Sequence, residues 1–192
     1  GKYLKHPVVL KEGARVLDVG CGFGNNLLPF LVRGYKCSGT EVTSVMAKQT
    51  QEILAQRGFS ADIHFGLNRK LPFKDETFDL LLSINVIHYE ASLENVTAAF
   101  SEYRRVLAKG GKLLLLTVGP KHAILKEAKI VKPNVYEIHN YDFRDGSCFF
   151  GFDKKSFLKE CLEKDFVKVE TGRVKESLMK VDLDFLIAVG ER

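Results

Sequence analysis

The sequence has no apolar run long enough to cross a bilayer. Leu113 to Leu116 and Phe185 to Val189 are among its longest, far short of the roughly 20 residues a spanning helix needs. It shows no signal-peptide pattern either, because Gly1-Lys2-Tyr3-Leu4-Lys5-His6-Pro7 leads into neither an apolar core nor a small-residue cleavage site. No membrane span and no secretion are expected, and a cytoplasmic location is. Only four cysteines occur, Cys21, Cys37, Cys148 and Cys161, none in CxxC spacing and with few histidines near them. That pattern argues for reduced thiols and against a zinc site, and no metal is expected. Repeats, low-complexity tracts and linker-like Gly/Ser/Pro stretches are missing as well, so the 192 residues read as one domain. The 29 basic and 24 acidic residues leave a net charge of +5, but they are interspersed, and nucleic acid is not the expected partner. The chain opens on Gly rather than Met, which reads as a processed or trimmed start, with Tyr3 to Pro7 as the remnant of a cap.

What is present is an alternation of short apolar runs and amphipathic stretches. Arg15 to Val19 predicts a strand, Asn25 to Val32 a helix stopped by Gly34, and Tyr35 to Glu41 a second strand. Thr43 to Arg57 predicts a helix capped by Thr43 or Ser44 and stopped by Gly58. Ala61 to Phe65 reads as a third strand, and the mostly apolar Phe78 to Ile84 as a central fourth one covered on both faces. Ser92 to Leu107 predicts an amphipathic helix closed by Lys109-Gly110-Gly111, with Lys112 to Val118 as the next strand. Residues 119–151 break the rhythm and read as an insertion, or lid, over the sheet. Within it Lys121 to Lys132 reads as a solvated helix face. Asp153 to Glu163 predicts a helix capped by Asp153, followed by a hairpin of strands at about Phe166 to Val174 and Asp184 to Val189. The fold class that follows is α/β: a three-layer sandwich with a seven-stranded, mostly parallel sheet, an antiparallel C-terminal strand, and helices on both faces.

The strongest chemical signal is Asp18-Val19-Gly20-Cys21-Gly22-Phe23-Gly24-Asn25, where the first strand turns into the first helix. Three alternating glycines let backbone approach a ligand without Cβ interference, and the following helix offers free N–H groups. A dinucleotide site would place the third glycine of G-x-G-x-x-G at the position held by Asn25, which counts against NAD. Glu41 closes the second strand, where a carboxylate can accept both hydroxyls of a ribose.

The D-x-G-x-G-x-G run resembles that of class I S-adenosylmethionine-dependent methyltransferases, and the resemblance spans roughly Arg15 to Val118. It implies that Asp18 helps hold the methionine ammonium of S-adenosylmethionine, that backbone around Gly20, Cys21, Gly22, Gly24 and Asn25 lines the donor, and that Glu41 with Val42 meets the ribose side. The product is then S-adenosylhomocysteine. The family commonly places an acid after the third strand to read the adenine; here Leu67 stands in its place, and Asn68 is the substitute donor-site residue. The Phe73 to His88 segment resembles the family's P-F-x-D-x-x-F-D-x-V-x-S-x-x-x-x-H pattern. It puts Ser83 and Asn85 on the donor side, and His88 and Tyr89 at the methyl acceptor, with His88 as candidate base. Patterns from Asp142 onward (D-F-R-D-G, F-F-x-F-D, D-F-L-I-A-V) faintly resemble methyltransferases linked to bacterial surface polysaccharides. The expected function is methyl transfer to a small-molecule acceptor, a sugar or another metabolite, whose specificity lies in residues 119–151. The competing readings are an RNA or protein methyltransferase, marked by a continuous basic groove, and a non-catalytic S-adenosylmethionine-binding module.

Overall fold

The computed structural model describes residues 9–140, 144–179 and 181–192. The expected cap remnant Tyr3 to Pro7, and Tyr141, Asp142 and Phe143 of the insertion, lie outside them. The first half of the chain lays down β1 (Arg15–Val19), β2 (Lys36–Glu41), β3 (Asp62–Phe65), β4 (Phe78–Ile84) and β5 (Leu107–Val118). Between them come α1 (Leu28–Leu31), α2 (Ser44–Gln56) and α3 (Leu93–Val106). A three-stranded excursion, β6 (Lys129–Lys132), β7 (Val135–Glu137) and β8 (Cys148–Phe150), precedes α4 (Lys155–Leu162), β9 (Val167–Leu178) and β10 (Val181–Glu191). The main sheet runs β3-β2-β1-β4-β5-β10-β9. Pairing is parallel from β3 to β5, while β10 is antiparallel to both of its neighbours.

Alternation along the central strands divides the apolar side chains between two cores. Leu80 and Leu82 of β4 pack with Val16 of β1 and with Ala47 and Leu54 of α2. Leu81 points the other way, into a cluster with Leu17, Val19, the Val96–Phe100–Tyr103 face of α3, Leu158 and Leu162 of α4, and Leu186 and Ala188 of β10. Both faces are thus covered, as a strand that is apolar on both sides requires.

The element ends follow their local chemistry. Thr43 Oγ1 accepts the Met46 N–H at 3.1 Å to cap α2. Gly58 stops that helix with φ +79°. Ser92 Oγ accepts from Asn95 N to cap α3.

Several expectations need correction. The helix read over Asn25 to Val32 shrinks to α1, because Pro29 has no N–H to donate and the approach to it runs through i→i−3 bonds, Gly24 N to Cys21 O and Leu27 N to Gly24 O. Gly110 and Gly111 do not close α3. They form an irregularity inside β5, where the register jumps from Phe78↔Leu107 to Leu80↔Lys112. Asp153 stands one residue outside α4, whose cap position is Lys154. The Lys121 to Lys132 stretch is no helix face: it is a 3₁₀ turn (Ala123–Leu125) and the exposed strand β6.

The insertion packs onto the body. Phe150 joins the main core, Phe149 forms a smaller one with Val118, Ile124 and Ile138, and Lys121 N–H donates to Asp184 Oδ2 at 2.7 Å. Asp184, 2% exposed, is held within the β9–β10 hairpin by Arg173 through two bonds of 2.6 and 2.7 Å, so that its bond from Lys121 ties the root of the insertion to that hairpin. No helix among the described residues is long and apolar enough to cross a membrane.

Leu81 is fully buried at the centre of the sheet, so Leu81→Ala is expected to cost about 2–5 kcal/mol in urea unfolding. Met179→Ser, at the 90%-exposed hairpin tip, is expected to stay within about 0.5 kcal/mol of the parent.

Candidate functional site

Between β1 and β4 the strand order reverses direction, and the loops that leave their carboxyl ends open a crevice there. Gly20, Gly22 and Gly24 all take left-handed backbone, with φ of +64°, +54° and +75°. A Cβ on Gly20 would meet Val86 Cγ2 at 2.7 Å, and one on Gly24 would meet Leu54 Cδ2 at 2.8 Å. Glycine is therefore required by backbone conformation and by contact at both positions. Gly22 differs, with nothing within 4 Å of the added atom, so its backbone faces open space. Thr50 on α2 holds that turn by donating to Gly22 O. The Gly22 N–H donates to Glu41 Oε1, and the Val42 N–H to Glu41 Oε2 at 3.3 Å. The turn after β1 and the end of β2 are thereby joined through the carboxylate that the sequence singled out.

Asp18 is fully buried, and neither of its oxygens has a hydrogen-bond partner among the described residues; Thr40 Oγ1 shares that condition. Burial pushes Asp18 up to about 7, Asn26 pulls against this, and the nearby Glu41 adds to it. A native fold rarely leaves such a group uncompensated without a use for it. An orphaned carboxylate beside a glycine cradle fits a cationic ligand group.

The remaining expected site residues divide. The Cys21 side chain turns into the core against Gly39, and its N–H is spent on Thr40 O. Burial, with Asp18 and Glu41 behind it, holds its thiol up. Asn25 is exposed, and its Oδ1 accepts from Arg57 at 2.9 Å. Val42 is exposed beside Glu41. Asn68 faces inward, and both of its polar atoms are engaged, Oδ1 by Tyr103 Oη at 2.7 Å and Nδ2 with Glu90 Oε1 at 2.8 Å. Ser83 lies 3.3 Å from the same tyrosine oxygen.

Past β4, Asn85 takes φ +58° and donates its N–H to Leu116 O. The 3₁₀ turn Ile87–Glu90 follows. Here a cavity of about 190 Å³ is walled by Asn85, His88, His122, Arg144, Phe149 and Phe185. His88 is 3% exposed, sits 3.3 Å from Thr117 Oγ1, and is stacked at 4.6 Å on Tyr89 and 4.5 Å on Phe149. Burial above all, then Arg144 and His122, brings it down to about 3. A base that weak is poorly matched to neutral pH, so the structure does not support His88 as the candidate base. Tyr89 Oη accepts from Arg144 Nε at 2.9 Å. His122 Nδ1 accepts the Ile124 N–H at 3.1 Å, which leaves its proton on Nε2. His122, Thr50, Glu90 and Tyr103 were missed in the sequence. Thr50 and Tyr103 could have been noticed as polar residues within the apolar stripes Ala47–Thr50–Leu54 and Phe100–Tyr103. No group of His, Cys, Asp and Glu suited to a metal occurs among the described residues.

A doubly covered sheet with a glycine cradle and an acid at the ends of its first two strands defines a class I, S-adenosylmethionine-dependent methyltransferase domain. The chain belongs to the family described as Methyltransferase domain, whose profile matches residues 17–115. It is 37% identical over 116 residues to sterol 24-C-methyltransferase ERG6B of Gibberella zeae, covering 57% of this chain and 29% of that one. With the probable tRNA methyltransferase 9B of Mus musculus it shares 36% over 106 residues, 55% of this chain and 22% of that one. The chain thus spans less than a third of either relative. A solved S-adenosylmethionine-dependent methyltransferase from Methanosarcina mazei superposes with a TM-score of 0.80 at 16% identity, covering 95% of this chain and 94% of that one. S-Adenosylmethionine is the cofactor of this class, and Asp18, the Gly20–Gly24 turn and Glu41 fit it.

The orphaned Asp18 makes stability depend on pH in a known direction. Above pH 4 an unfolded chain releases the proton of an ordinary aspartate, whereas the folded protein keeps it to about pH 7. Stability from this group therefore falls by up to about 1.4 kcal/mol per unit across that window and levels off above it. Urea unfolding is expected to show Asp18→Asn gaining about 4 kcal/mol on the parent between pH 4 and pH 8.

Proposed function

We propose that this domain transfers the methyl group of S-adenosylmethionine to a small-molecule acceptor bound in the cavity between the Ile87–Glu90 turn, the insertion and β10. The observation that carries the reading is a placement at one end of the sheet: β1 and β4 run parallel with Val19 opposite Ser83, so the orphaned Asp18 carboxylate and the Asn85 and His88 that line a cavity of about 190 Å³ leave the sheet at the same end. That volume is below the roughly 300–1,000 Å³ of pockets for drug-sized ligands, so it suits a compact acceptor.

When bound, the cofactor supplies an activated methyl whose transfer breaks the C–S bond, with the electron pair leaving on a neutral thioether. The chain's own residues hold and exclude. Asp18 receives the ammonium end, and Glu41 receives the ribose hydroxyls in exchange for the Gly22 and Val42 N–H groups it now binds. Gly22 offers bare backbone. On the acceptor side His88, being neutral, serves as a hydrogen-bonding wall fixed by Thr117. Phe149 walls the acceptor with Tyr89 packed behind it, and His122 presents an N–H. Orientation of this kind is worth about 7–11 kcal/mol, more than a single base supplies. The insertion acts as a fixed wall, because Phe149 and Phe150 anchor it in two cores. An RNA acceptor is the second reading, favoured by the similarity to a probable tRNA methyltransferase.

Calorimetric titration tests the donor site. S-Adenosylhomocysteine is expected to bind with micromolar affinity and NADH not at all. Glu41→Ala is expected to weaken binding by about 1.5–3 kcal/mol, or roughly 10- to 150-fold. Asp18 must ionise to meet an ammonium, so affinity is expected to fall up to about tenfold per unit as pH drops below 7. No binding by the parent chain would overturn the proposal, and tRNA methylated in preference to small acceptors would replace it with the second reading.

A further inference from the structure

The loop after β3 and the turn after β4 meet at a buried carboxylate that the donor and acceptor assignments leave unused. Glu90 ends the 3₁₀ turn that carries His88 and Tyr89, and its side chain is 10% exposed. Asn68 Nδ2 donates to its Oε1 at 2.8 Å, and Arg69 Nε lies 2.7 Å from its Oε2. Both donors belong to one tight turn, closed by the reciprocal backbone bonds of Leu67 and Lys70. Asn68 passes the link on, since its Oδ1 accepts from Tyr103 Oη, which contacts Ser83 at the end of β4. The backbone of Glu90 is tied as well, because its carbonyl accepts from Asn95 Nδ2 at 2.9 Å. The main chain of the turn is thus fixed to α3, while its carboxylate reaches back to the loop after β3, whose Gly66 N–H donates to Glu41 O at 2.9 Å on the donor side.

We infer that Glu90 is a positioning residue: its carboxylate holds the Leu67–Lys70 turn in place against the acceptor wall, so that the donor crevice is shaped before a ligand arrives. This rests on the donor site proposed above. It accounts for the inward amide of Asn68, which is a strut between Tyr103 and Glu90. A charge-assisted pair of bonds at a nearly buried carboxylate is stronger than a neutral pair, and loss of the acceptor leaves the buried Asn68 amide unsatisfied.

The experiment compares parent, Glu90→Ala and Glu90→Gln by amide hydrogen exchange without ligand and by calorimetry with S-adenosylhomocysteine, with Leu162→Ala, at a fully buried position of α4, as a control destabilised outside the network. In Glu90→Ala, exchange is expected to quicken at least tenfold in 67–70 and 87–90 together, and the ligand Kd to rise about tenfold. Glu90→Gln keeps its size and an oxygen for Asn68, and is expected to fall between the two in both readouts. Leu162→Ala is expected to lose stability while binding as the parent does. Unchanged exchange in 67–70, or Kd values in both Glu90 variants equal to the parent's, overturns the inference. So does a loss of affinity in Leu162→Ala as large as that in Glu90→Ala, since destabilisation alone then accounts for it. Should Glu90→Ala not fold, a Gln variant matching the parent in both readouts overturns it equally. A parent that binds no ligand defeats the donor-site reading alone, because exchange in the ligand-free protein still reads the tie between the two loops.

Discussion

Strands β1 and β4 are apolar on both faces, and that single condition arranges the rest of the molecule. Val16 and Leu17, or Leu80 and Leu81, point to opposite sides, so each side must be covered by helices. Helices that return the chain to the same edge of the sheet leave only the strand ends for polar groups. The two middle strands are also the two between which the order reverses, so their end loops diverge and leave room between them. The places of the glycine turn after β1 and of the cavity beside the Ile87–Glu90 turn are consequences of that covering. Gly20 contacting Val86 shows how closely the two loops approach where they part.

Against this apolar background, the buried polar groups form two contrasting sets. The Ser83–Tyr103–Asn68–Glu90 chain is bonded from end to end, and it ties the turn after β3 to β4 and to the turn that follows it. Among the described residues, the Asp18 carboxylate and the Thr40 hydroxyl, one strand apart, have no hydrogen-bond partner. A satisfied network specifies a shape, whereas an unsatisfied pair holds a free energy that only an added group can recover. The fold keeps its satisfied polar groups and its waiting ones on paired strands, with Val19 opposite Ser83.

Much of this was legible in the sequence, and the limits have physical causes. β1 and β4 were readable to the residue, because apolar runs ending at Gly20 and Asn85 carry their own stops. The cap of α2 is equally local, read as Thr43 or Ser44 and found at Thr43, whereas Ser92 was read as part of α3 and caps it instead. The length of α1 was not, since its weakness comes from Pro29 acting on a turn already tightened by three glycines. The three short strands of the insertion pair only with one another and lean on Phe149 and Phe150, so no periodicity announces them. Glu41 and the glycines of the site were read from spacing. The partners of Asn68 and His88 are far away in sequence, and their burial decides their chemistry: His88 was expected as a base on the strength of its type, and desolvation makes it a poor one.

The place of β10 has a further consequence. It lies between β5 and β9, inside the sheet, and pairs with β5 across the whole length from Phe185↔Val118 to Glu191↔Lys112. A ribosome delivers that strand long after β5, and until it arrives the edge of β5 is an open row of amide and carbonyl groups beside an unfinished core lacking Leu186 and Ala188. A chain synthesised as far as β5 therefore carries an open sheet edge until β10 follows. The same late strand brings Phe185 to the cavity beside His88 and Phe149, so that cavity is completed only when the sheet is.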